Sequence, residues 1–370
     1  MRVLVCGWTG STNLGDELVF AGLRTLFSDE DRIATVSIAP FRTVADHGVS
    51  TIGHRRPARL MAAIRSADLV VFGGGGLVQD ETSPWNLPYH LSRPLLAMLA
   101  DTPWIGLDLG VGPLRSSTAR WLAAQLRHAH AITVRDEPSR DLLARMGVPA
   151  RLAADAAFHL PEALVTGGPQ ADGLGRDLPG PADIAVSLRP WKPTVGATGR
   201  WLPVGWRSAH DEPSWFVPTV AAALDQASRR TGLAVRFVAL QTDRDAKLHA
   251  RVARAMRTPA TTVVPTRHTV LRELAAARIV VAMRYHAGIG AILAGRPTVL
   301  IGYSPKVDAL ADSLGDGAAH RAFDRDSLAS LDDAIVEQAS STVATAAVIN
   351  ACRRLRDRAS VDREVMASVR

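Results

Sequence analysis

The chain has little lysine, tyrosine or cysteine, and it has no long apolar run. Only three of its 43 basic residues are lysines, and only three residues are tyrosines. The two cysteines, Cys6 and Cys352, lack metal-ligand spacing, which favours a reduced, cytoplasmic setting. No segment reaches the roughly 18 to 20 consecutive apolar residues that a membrane span needs. The apolar run at the N-terminus is too short for a signal peptide and predicts a first strand.

The formal net charge of +7 comes from arginine. The sequence has no basic run with interleaved aromatic residues and no nucleic-acid-binding motif, so nucleic acid is not an expected partner. An acidic small substrate fits the charge, and so does an acceptor carried on a phosphorylated lipid at the membrane surface. Genomic base composition also produces arginine-rich, lysine-poor chains, and we assign most of the excess charge to it.

Short apolar strands alternate with helical patterns in two series, which predicts an α/β protein with two parallel sheets. The first series has strands at 2–6, 33–38, 68–72, 104–109, 131–134 and 151–153, with helices at 18–27, 57–66, 93–100, 117–129 and 138–146. The second has strands at 184–188, 234–240, 261–264, 278–283 and 298–302, with helices at 218–230, 243–257, 269–277, 287–294, 307–313, 326–339 and 345–370.

This pattern predicts two Rossmann-like domains with an interdomain cleft that the carboxyl ends of the strands face. The N-terminal domain covers 1–165, and a linker rich in glycine and proline covers 166–182. The C-terminal domain covers 183–340, and a C-terminal helix covers 341–370.

A long loop at 191–216 holds four of the eight tryptophans, Trp191, Trp201, Trp206 and Trp215. Loops of this length are usually functional or disordered, and tryptophan argues against disorder. Indole faces suit sugar rings, but packing of the loop onto its own domain explains each tryptophan equally well.

A glycine-containing turn connects the first strand to the first helix. Gly10 and Gly15 have the spacing of a phosphate-binding loop, but Asp16 and Glu17 stand where that loop needs Lys and Ser or Thr. Two carboxylates would repel a triphosphate, and G-x-G-x-x-G is absent, so ATP and NAD are disfavoured. Either the backbone and Asn13 face the cleft, or the turn is structural and Asp16 complements the helix dipole.

Four consecutive glycines at 73–76 follow the third predicted strand, so a ligand or a neighbouring loop approaches the backbone there. The segment beyond them is polar and aromatic, which suits a hydroxylated acceptor. The residues that we expect to contact the acceptor are Asn13, Gly74, Gly75, Asp80, Trp85 and Tyr89.

Cationic side chains follow two predicted strands of the second half. Arg284 and His286 come after one strand, and Lys306 comes after the next, close to Tyr303. Strand ends and helix N-termini bind anions in open α/β sheets. Arg135 follows a strand of the first half, where it also fits as a partner for a neighbouring carboxylate. No histidine or cysteine cluster predicts a metal site.

Taken together, these motifs resemble the polysaccharide pyruvyl transferase family. The resemblance runs in chain order through the Asn13-x-Gly15-Asp16 core, glycines 73–76, residues 133–139, Arg284-x-His286 and Tyr303-x-x-Lys306. It implies a GT-B-like fold and the transfer of pyruvate from phosphoenolpyruvate (PEP) onto two hydroxyls of a sugar, which forms a cyclic ketal and releases phosphate. In such enzymes an arginine, a histidine and a lysine in the interdomain cleft handle PEP. By motif, these are Arg135, His286 and Lys306.

This chemistry suits the residue types. Arg135, Arg284 and Lys306 can bind the carboxylate and phosphate of PEP by charge-assisted hydrogen bonds. Histidine is the usual residue for acid–base catalysis at neutral pH, and His286 is the candidate general acid. The candidates to assist the attacking hydroxyl are Asp16, Asp80 and Asp108.

The resemblance further implies a cell-surface or exported glycan as the product, the N-terminal domain as the acceptor side and the C-terminal domain as the PEP side. We expect no cofactor besides the co-substrate PEP, and no metal. A lipid-linked acceptor would bring peripheral association with the inner face of the membrane. Two alternatives stay open: a GT-B nucleotide-sugar glycosyltransferase, and a non-catalytic carbohydrate- or anion-binding protein. The sequence leaves the acceptor sugar, the ketal stereochemistry and the oligomeric state undetermined.

Overall fold

The computed structural model describes residues 1–81, 85–166, 183–191 and 212–370. They form two compact units: unit 1 comprises residues 1–160 and 353–370, and unit 2 comprises residues 161–352. The predicted linker from residue 167 onward lies outside the described residues, as do Trp201 and Trp206.

In its described part, unit 1 forms a parallel sheet of seven strands. The strands are β1 (Arg2–Thr9), β2 (Arg32–Ser37), β3 (Ser50–Gly53), β4 (Leu69–Val78), β5 (Trp104–Val111), β6 (Ile132–Val134) and β7 (Arg151–Leu152). The helices between them are α1 (Leu14–Arg24), α2 (Pro40–His47), α3 (Pro57–Ser66), α4 (Asn86–Leu99), α5 (Ser117–Ala124) and α6 (Glu137–Arg145). Across the sheet, the order is β3-β2-β1-β4-β5-β6-β7. The order in which strands are added to the sheet therefore reverses between β1 and β4. Open α/β sheets bind ligands at such a point.

The strands of unit 1 are apolar on both faces because helices cover both sides of a parallel sheet. In β1, Leu4 and Cys6 join one apolar cluster, while Val3 and Val5 join the cluster on the opposite face. All four side chains are at most 2 % exposed. This burial on both faces is the reason why the strand reads as a continuous apolar run.

Two elements of unit 1, α2 and β3, were not predicted. In α2 the apolar side chains Phe41 and Val44 are exposed, and the helix buries Thr43 and His47 instead. The strand β3 has four residues, none of them fully buried. Neither element therefore carries the apolar periodicity by which buried helices and strands are found.

The glycine run was expected to follow a strand, but β4 continues through it. Gly73 and Gly75 pair with Leu107 and Leu109 of β5, so the ladder extends beyond residue 72. Gly74 has a φ of 87° and Gly75 a φ of 90°, which side chains with a Cβ rarely adopt. The run is therefore an irregular part of the strand, and α4 begins at residue 86, earlier than predicted.

In its described part, unit 2 forms a parallel sheet of six strands. The strands are β8 (Asp183–Ser187), β9 (Ala234–Val238), β10 (Ala260–Val263), β11 (Ile279–Ala282), β12 (Thr298–Gly302) and β13 (Ala318–Ala322), in the order β10-β9-β8-β11-β12-β13. The helices are α7 (Ala163–Thr166), α8 (Phe216–Thr231), α9 (Asp245–Ala255), α10 (Val270–Ala275), α11 (Tyr285–Leu293), α12 (Pro305–Leu314), α13 (Arg325–Ala329), α14 (Leu331–Ser340) and α15 (Thr342–Ser368). The boundary between the units falls inside α15.

Unit 2 differs from the sequence prediction in two places. The short edge strand β13 was missed because it contains only alanine, histidine and arginine and none of its residues is fully buried. The single helix expected at 326–339 is two helices, α13 and α14. The two parallel sheets with connecting helices confirm the prediction of two Rossmann-like α/β domains. No helix within the described residues is both long and apolar enough to cross a membrane.

Candidate functional site

Unit 2 brings Arg189, Tyr303 and Lys306 together at the carboxyl edge of its sheet. Arg189 follows β8, Tyr303 follows β12, and Lys306 lies in the first turn of α12. Arg189 Nη1 donates to Tyr303 Oη at 2.6 Å, and its Cζ lies 4.4 Å from the centroid of that ring. Lys306 Nζ lies 5.8 Å from the same centroid. Two cations therefore approach one phenol.

The charges around Tyr303 change its chemistry. Burial by itself would raise the pKa of the phenol, but the positive charges of Lys306, Arg189 and Arg284 outweigh burial and lower the pKa to about 7. A phenolate would thus form near neutral pH. Sequence reasoning left Tyr303 without a role, although the scarcity of tyrosine and the Tyr303-x-x-Lys306 motif both drew attention to it.

Arg284 is brought to the same edge, but its guanidinium is held by a carboxylate. Nε donates to Asp245 Oδ2 at 3.0 Å, and Nη2 donates to Asp245 Oδ1 and to Gln241 Oε1. Asp245 is fully buried and Arg284 is 9 % exposed. The expectation that Arg284 binds PEP stays a prediction, and it now competes with this buried ion pair.

His286 lies in the first turn of α11, which begins at Tyr285. The other residues of this helix are buried, and the sequence from 285 to 293 has only Tyr285 and His286 as polar side chains. The His286 ring is half-buried and meets the Tyr285 ring edge-on, with the centroids 5.2 Å apart. The apolar helix therefore presents one imidazole at its N-terminal end.

In unit 1, Arg135 follows β6 and is only 4 % exposed. Nη1 donates to Asp155 at 3.1 Å, and Nε lies 3.6 Å from Asp136. The guanidinium lies on the backbone of Gly110, where a Cβ would come within 2.7 Å of Nη2. Arg135 is therefore an ion-paired arginine packed on a glycine, which agrees with the salt-bridge reading of its motif.

Asp108 belongs to the same buried group as Arg135. Its backbone N–H donates to Thr133 Oγ1 at 2.8 Å, and its φ is 53°. Burial and the negative charge of Asp155 raise the pKa of the Asp108 carboxyl well above its usual range, while Arg135 acts in the opposite direction. Because the side chain is fully buried, Asp108 is a weaker candidate than Asp16 for direct contact with an acceptor.

Three further members of this group were missed from the sequence: Asp155, His159 and Asp362. Thr133 Oγ1 donates to Asp362 at 2.5 Å, and His159 Nε2 lies 3.1 Å from the other oxygen of that carboxylate. Asp362 lies in α15, more than 200 residues along the chain from its partners. In the sequence, the one indication of this buried group was Asp155, a single carboxylate within an apolar run.

The turn after β1 is held together by its own side chains. Asn13 caps α1, with Oδ1 accepting from the Gly15 N–H at 3.2 Å, and Asn13 Nδ2 donates to Asp16 at 2.8 Å. Glu17 is buried, accepts from the N–H groups of Gly10 and Ser11, and lies 2.8 Å from His47 Nε2. Asn13 and Glu17 therefore stabilise the backbone of this turn.

Asp16 also lines a small crevice at the carboxyl ends of β1 and β4. Its lining includes Gly7, Trp8, Thr9, Asp16, Gly73 and Gly74. This is the point where the strand order of unit 1 reverses. Of the three predicted carboxylates, Asp16 is thus the one that lines a crevice at a ligand-binding edge.

The remaining predicted acceptor residues differ in their surroundings. Asp80 accepts from the backbone N–H groups of Arg115 and Ser116, so it holds a loop. Gly74 packs on α1, whereas a Cβ on Gly75 would meet nothing within 4 Å. Trp85 is 72 % exposed just before α4.

Tyr89, in the first turn of α4, is part of an aromatic cluster. Its ring meets Trp8 and His90 edge-on at centroid distances of 5.8 and 5.0 Å. Its Oη lies 3.2 Å from His54 Nδ1. Because Trp8 also lines the crevice that contains Asp16, the aromatic cluster borders that crevice.

Two of the four tryptophans of the long loop lie in the described residues. Trp191 stacks on Phe323 with the centroids 5.2 Å apart, and Trp215 lies 5.7 Å from the same ring. Both therefore pack against their own unit, which supports the packing interpretation for these two.

Solved structures with the same fold cover nearly the whole chain. Anabaena HepE in complex with UDP and glucose is 15 % identical with a TM-score of 0.63, over 100 % of this chain and 98 % of that one. UDP-GlcNAc 2-epimerase from Neisseria meningitidis bound to UDP-GlcNAc is 11 % identical with a TM-score of 0.61, over 100 % of both. Glycosyltransferase VinC in complex with dTDP is 14 % identical with a TM-score of 0.55, over 100 % and 99 %.

At such identities these structures establish the fold alone, and they confirm the predicted GT-B-like fold. A comparison with curated proteins finds no sequence match. The family model for polysaccharide pyruvyl transferase matches residues 13–305, well over half of the chain. The chain belongs to the polysaccharide pyruvyl transferase family.

Proposed function

We propose that the protein transfers the pyruvyl group of PEP onto two hydroxyls of a sugar and forms a cyclic ketal. The observation that carries this proposal is the cationic corner of unit 2, formed by Arg189, Tyr303 and Lys306 beside the N-terminus of α11. Among the described residues, no carboxylate lies within ion-pair distance of Lys306 Nζ. An ammonium at a strand end that is not paired with a carboxylate suits a dianionic phosphate.

The reaction needs a proton donor and two hydroxyls. A proton is added to the methylene carbon of PEP, a sugar hydroxyl forms a bond to C2, and the bond between C2 and the phosphate oxygen breaks. A second hydroxyl then closes the ring at C2. The two hydroxyl protons end on the new methyl group and on the released phosphate, so that atoms and charge balance.

His286 is the proposed general acid. It is the polar side chain in the first turn of an apolar helix whose N-terminus favours a bound anion. A histidine can hold and release a proton at neutral pH. Lys306 and Arg189 would bind the phosphate or carboxylate, while Arg284, held by Asp245, would set the position of the α11 N-terminus.

The roles of Arg135 and the acceptor residues remain proposals that rest on the family motif. Arg135 belongs to unit 1, where Asp155 and Asp136 share its charge. Asp16 is the proposed group that orients or deprotonates the attacking hydroxyl, because it lines the crevice of unit 1. A sugar in an exported or cell-surface glycan is the proposed acceptor class, with a lipid-linked sugar as one form.

A thermal-shift comparison tests this proposal against the nucleotide-sugar alternative. That alternative gains support from structural neighbours that were solved in complex with UDP or dTDP. PEP should stabilise the wild type and fail to stabilise Lys306→Met, whereas UDP- and GDP-sugars should have no effect. Stabilisation by a nucleotide sugar without any response to PEP would replace pyruvyl transfer by glycosyl transfer.

A further inference from the structure

Arg93 of α4 is a buried arginine that has no carboxylate partner among the residues that the structure describes. It is 5 % exposed, as deeply buried as Arg135 and more deeply than Arg284. Arg135 pairs with Asp155, and Arg284 pairs with Asp245. Within the described residues, no acidic side chain lies within ion-pair distance of Arg93. A buried charge is costly unless it is paired, so this guanidinium lacks the counter-ion that its two counterparts have.

The contacts that Arg93 does make are with neutral groups. Nη1 donates to the backbone oxygen of Tyr89 and to Ser92 Oγ, and Cζ lies 3.6 Å from the centroid of the Tyr89 ring. Stacking on an aromatic ring stabilises a cation only modestly and does not replace a counter-ion. These contacts hold the guanidinium in place and leave its charge uncompensated.

The neighbouring titratable groups add no negative charge. Burial, followed by the charge of Arg93, lowers the pKa of His90 to about 3. Burial and the charges of Arg55 and Arg93 lower the pKa of His54. Burial raises the pKa of the Cys6 thiol to about 12. The surroundings of Arg93 are therefore neutral or positive.

Arg93 is also hydrogen-bonded to neutral side chains only. Nη1 donates to Ser92 Oγ, and the guanidinium forms a further side-chain hydrogen bond with Tyr89. His54 contacts Tyr89 through Nδ1, which leaves Nε2. The half-buried rings of Trp8 and Tyr89 complete the cluster, and Trp8 lines the crevice that also contains Asp16. A phosphate brings more negative charge and more acceptor oxygens to this guanidinium than a carboxylate does, which favours a phosphate as the missing counter-ion.

We propose that Trp8, His54, Tyr89 and Arg93 form a subsite for a phosphate group attached to the acceptor sugar, with the aromatic rings against the sugar. This proposal rests on the proposed function, because it takes the crevice of unit 1 as the acceptor site. It narrows the acceptor class to sugars that carry a phosphate group without a nucleotide. A neutral oligosaccharide would leave Arg93 without a counter-ion.

The test uses the full chain, a hexose 1-phosphate, the same hexose without phosphate, inorganic phosphate and PEP. Binding is followed by thermal shift and by titration calorimetry. The hexose 1-phosphate should bind wild type more tightly than either the hexose or inorganic phosphate alone. In Arg93→Met its affinity should fall by about tenfold to a hundredfold, as expected for lost hydrogen bonds to a charged group. Arg93→Lys keeps the positive charge but loses the planar guanidinium. Its affinity for the hexose 1-phosphate should lie between those of wild type and Arg93→Met.

Unliganded stability separates binding from a structural role. Replacing a buried, uncompensated cation by an apolar side chain is often neutral or stabilising, so Arg93→Met should keep or raise the Tm. Arg135→Met, which removes the buried ion pair with Asp155, should lower the Tm. Loss of folding in Arg93→Met, or unchanged affinity for the hexose 1-phosphate in that variant or in Arg93→Lys, would overturn the subsite. If the hexose 1-phosphate does not bind to the wild type, the proposed subsite is also wrong.

PEP separates this subsite from the proposed PEP site. PEP binding should survive in Arg93→Met and be lost in Lys306→Met. The reverse pattern would make Arg93 part of the PEP site and overturn its assignment to the acceptor. If PEP does not bind while hexose 1-phosphate binding depends on Arg93, the proposed pyruvyl transfer fails and the subsite stands.

Discussion

Arg135 in unit 1 and Lys306 in unit 2 both follow the end of a parallel strand, but their surroundings differ. Arg135 is buried, packs on Gly110 and shares its charge with Asp155 and Asp136. Lys306 is half-buried and, among the described residues, approaches a phenol instead of a carboxylate. The same sequence pattern thus gives one cation that is already neutralised and one that is ready for an anion. Four predictions test this difference, from the largest expected effect to the smallest.

His286→Ala should lower turnover by about 10²–10⁴-fold, the usual contribution of a general acid or base. The loss should appear in kcat with PEP and a sugar acceptor, while PEP binding changes little. His128→Ala, which removes an exposed histidine of unit 1, is the matched control. Near-wild-type turnover of His286→Ala would remove the histidine from the mechanism.

Arg135→Met should destabilise the fold by about 3–5 kcal/mol, because it leaves the buried Asp155 without its partner. Urea unfolding measures the change. Arg140→Met breaks an exposed pair with Asp141 and should cost about 0–1 kcal/mol. If Arg135→Met unfolds like wild type, the Arg135 charge is not neutralised in the way that its contacts indicate.

Lys306→Met should weaken PEP binding by about tenfold to a hundredfold with little loss of stability, because no ion pair of the described residues is broken. The KM for PEP and the urea midpoint are the two measurements. Lys247→Met, at an exposed position of α9, should leave both unchanged. Unaltered PEP affinity in Lys306→Met would contradict the proposed site.

Tyr303 should titrate near neutral pH. Its pKa in the fold is about 7, lower than in the unfolded chain, so the phenolate contributes stability at high pH. That contribution is complete above the unfolded pKa of about 10 and is lost as the pH falls through the folded value. Tyrosinate absorbance should show a step near neutrality that Tyr303→Phe lacks and Lys306→Met moves to higher pH. Tyr285→Phe should retain the step, and its absence from wild type would refute the predicted shift.

The sheets could be predicted from the sequence because their central strands are buried on both faces and read as apolar runs bounded by turn residues. The strands around residues 2–6, 68–72 and 298–302 are examples. The elements α2, β3 and β13 could not be predicted, because they are short and lie where few apolar side chains are buried. Their existence depends on neighbouring strands that local periodicity does not report.

The sequence predicted where the cationic residues of the site lie in the fold, but it did not predict which carboxylates pair with them. Strand ends placed Arg135, Arg284 and Lys306 at the carboxyl edges of the sheets. That Arg284 would be held by Asp245 and Arg135 by Asp155 depends on packing between residues distant along the chain. The low pKa of Tyr303 likewise arises from charges on three different elements.

The most direct test is an acceptor screen with PEP, in which phosphate release and product mass are measured together. The account predicts that one sugar acceptor, a glycosyl phosphate by our inference, gains the mass of one pyruvic acid less one water for each phosphate released. His286→Ala and Lys306→Met should fail to form this product. Transfer of a sugar from a nucleotide donor, with no consumption of PEP, would contradict the account.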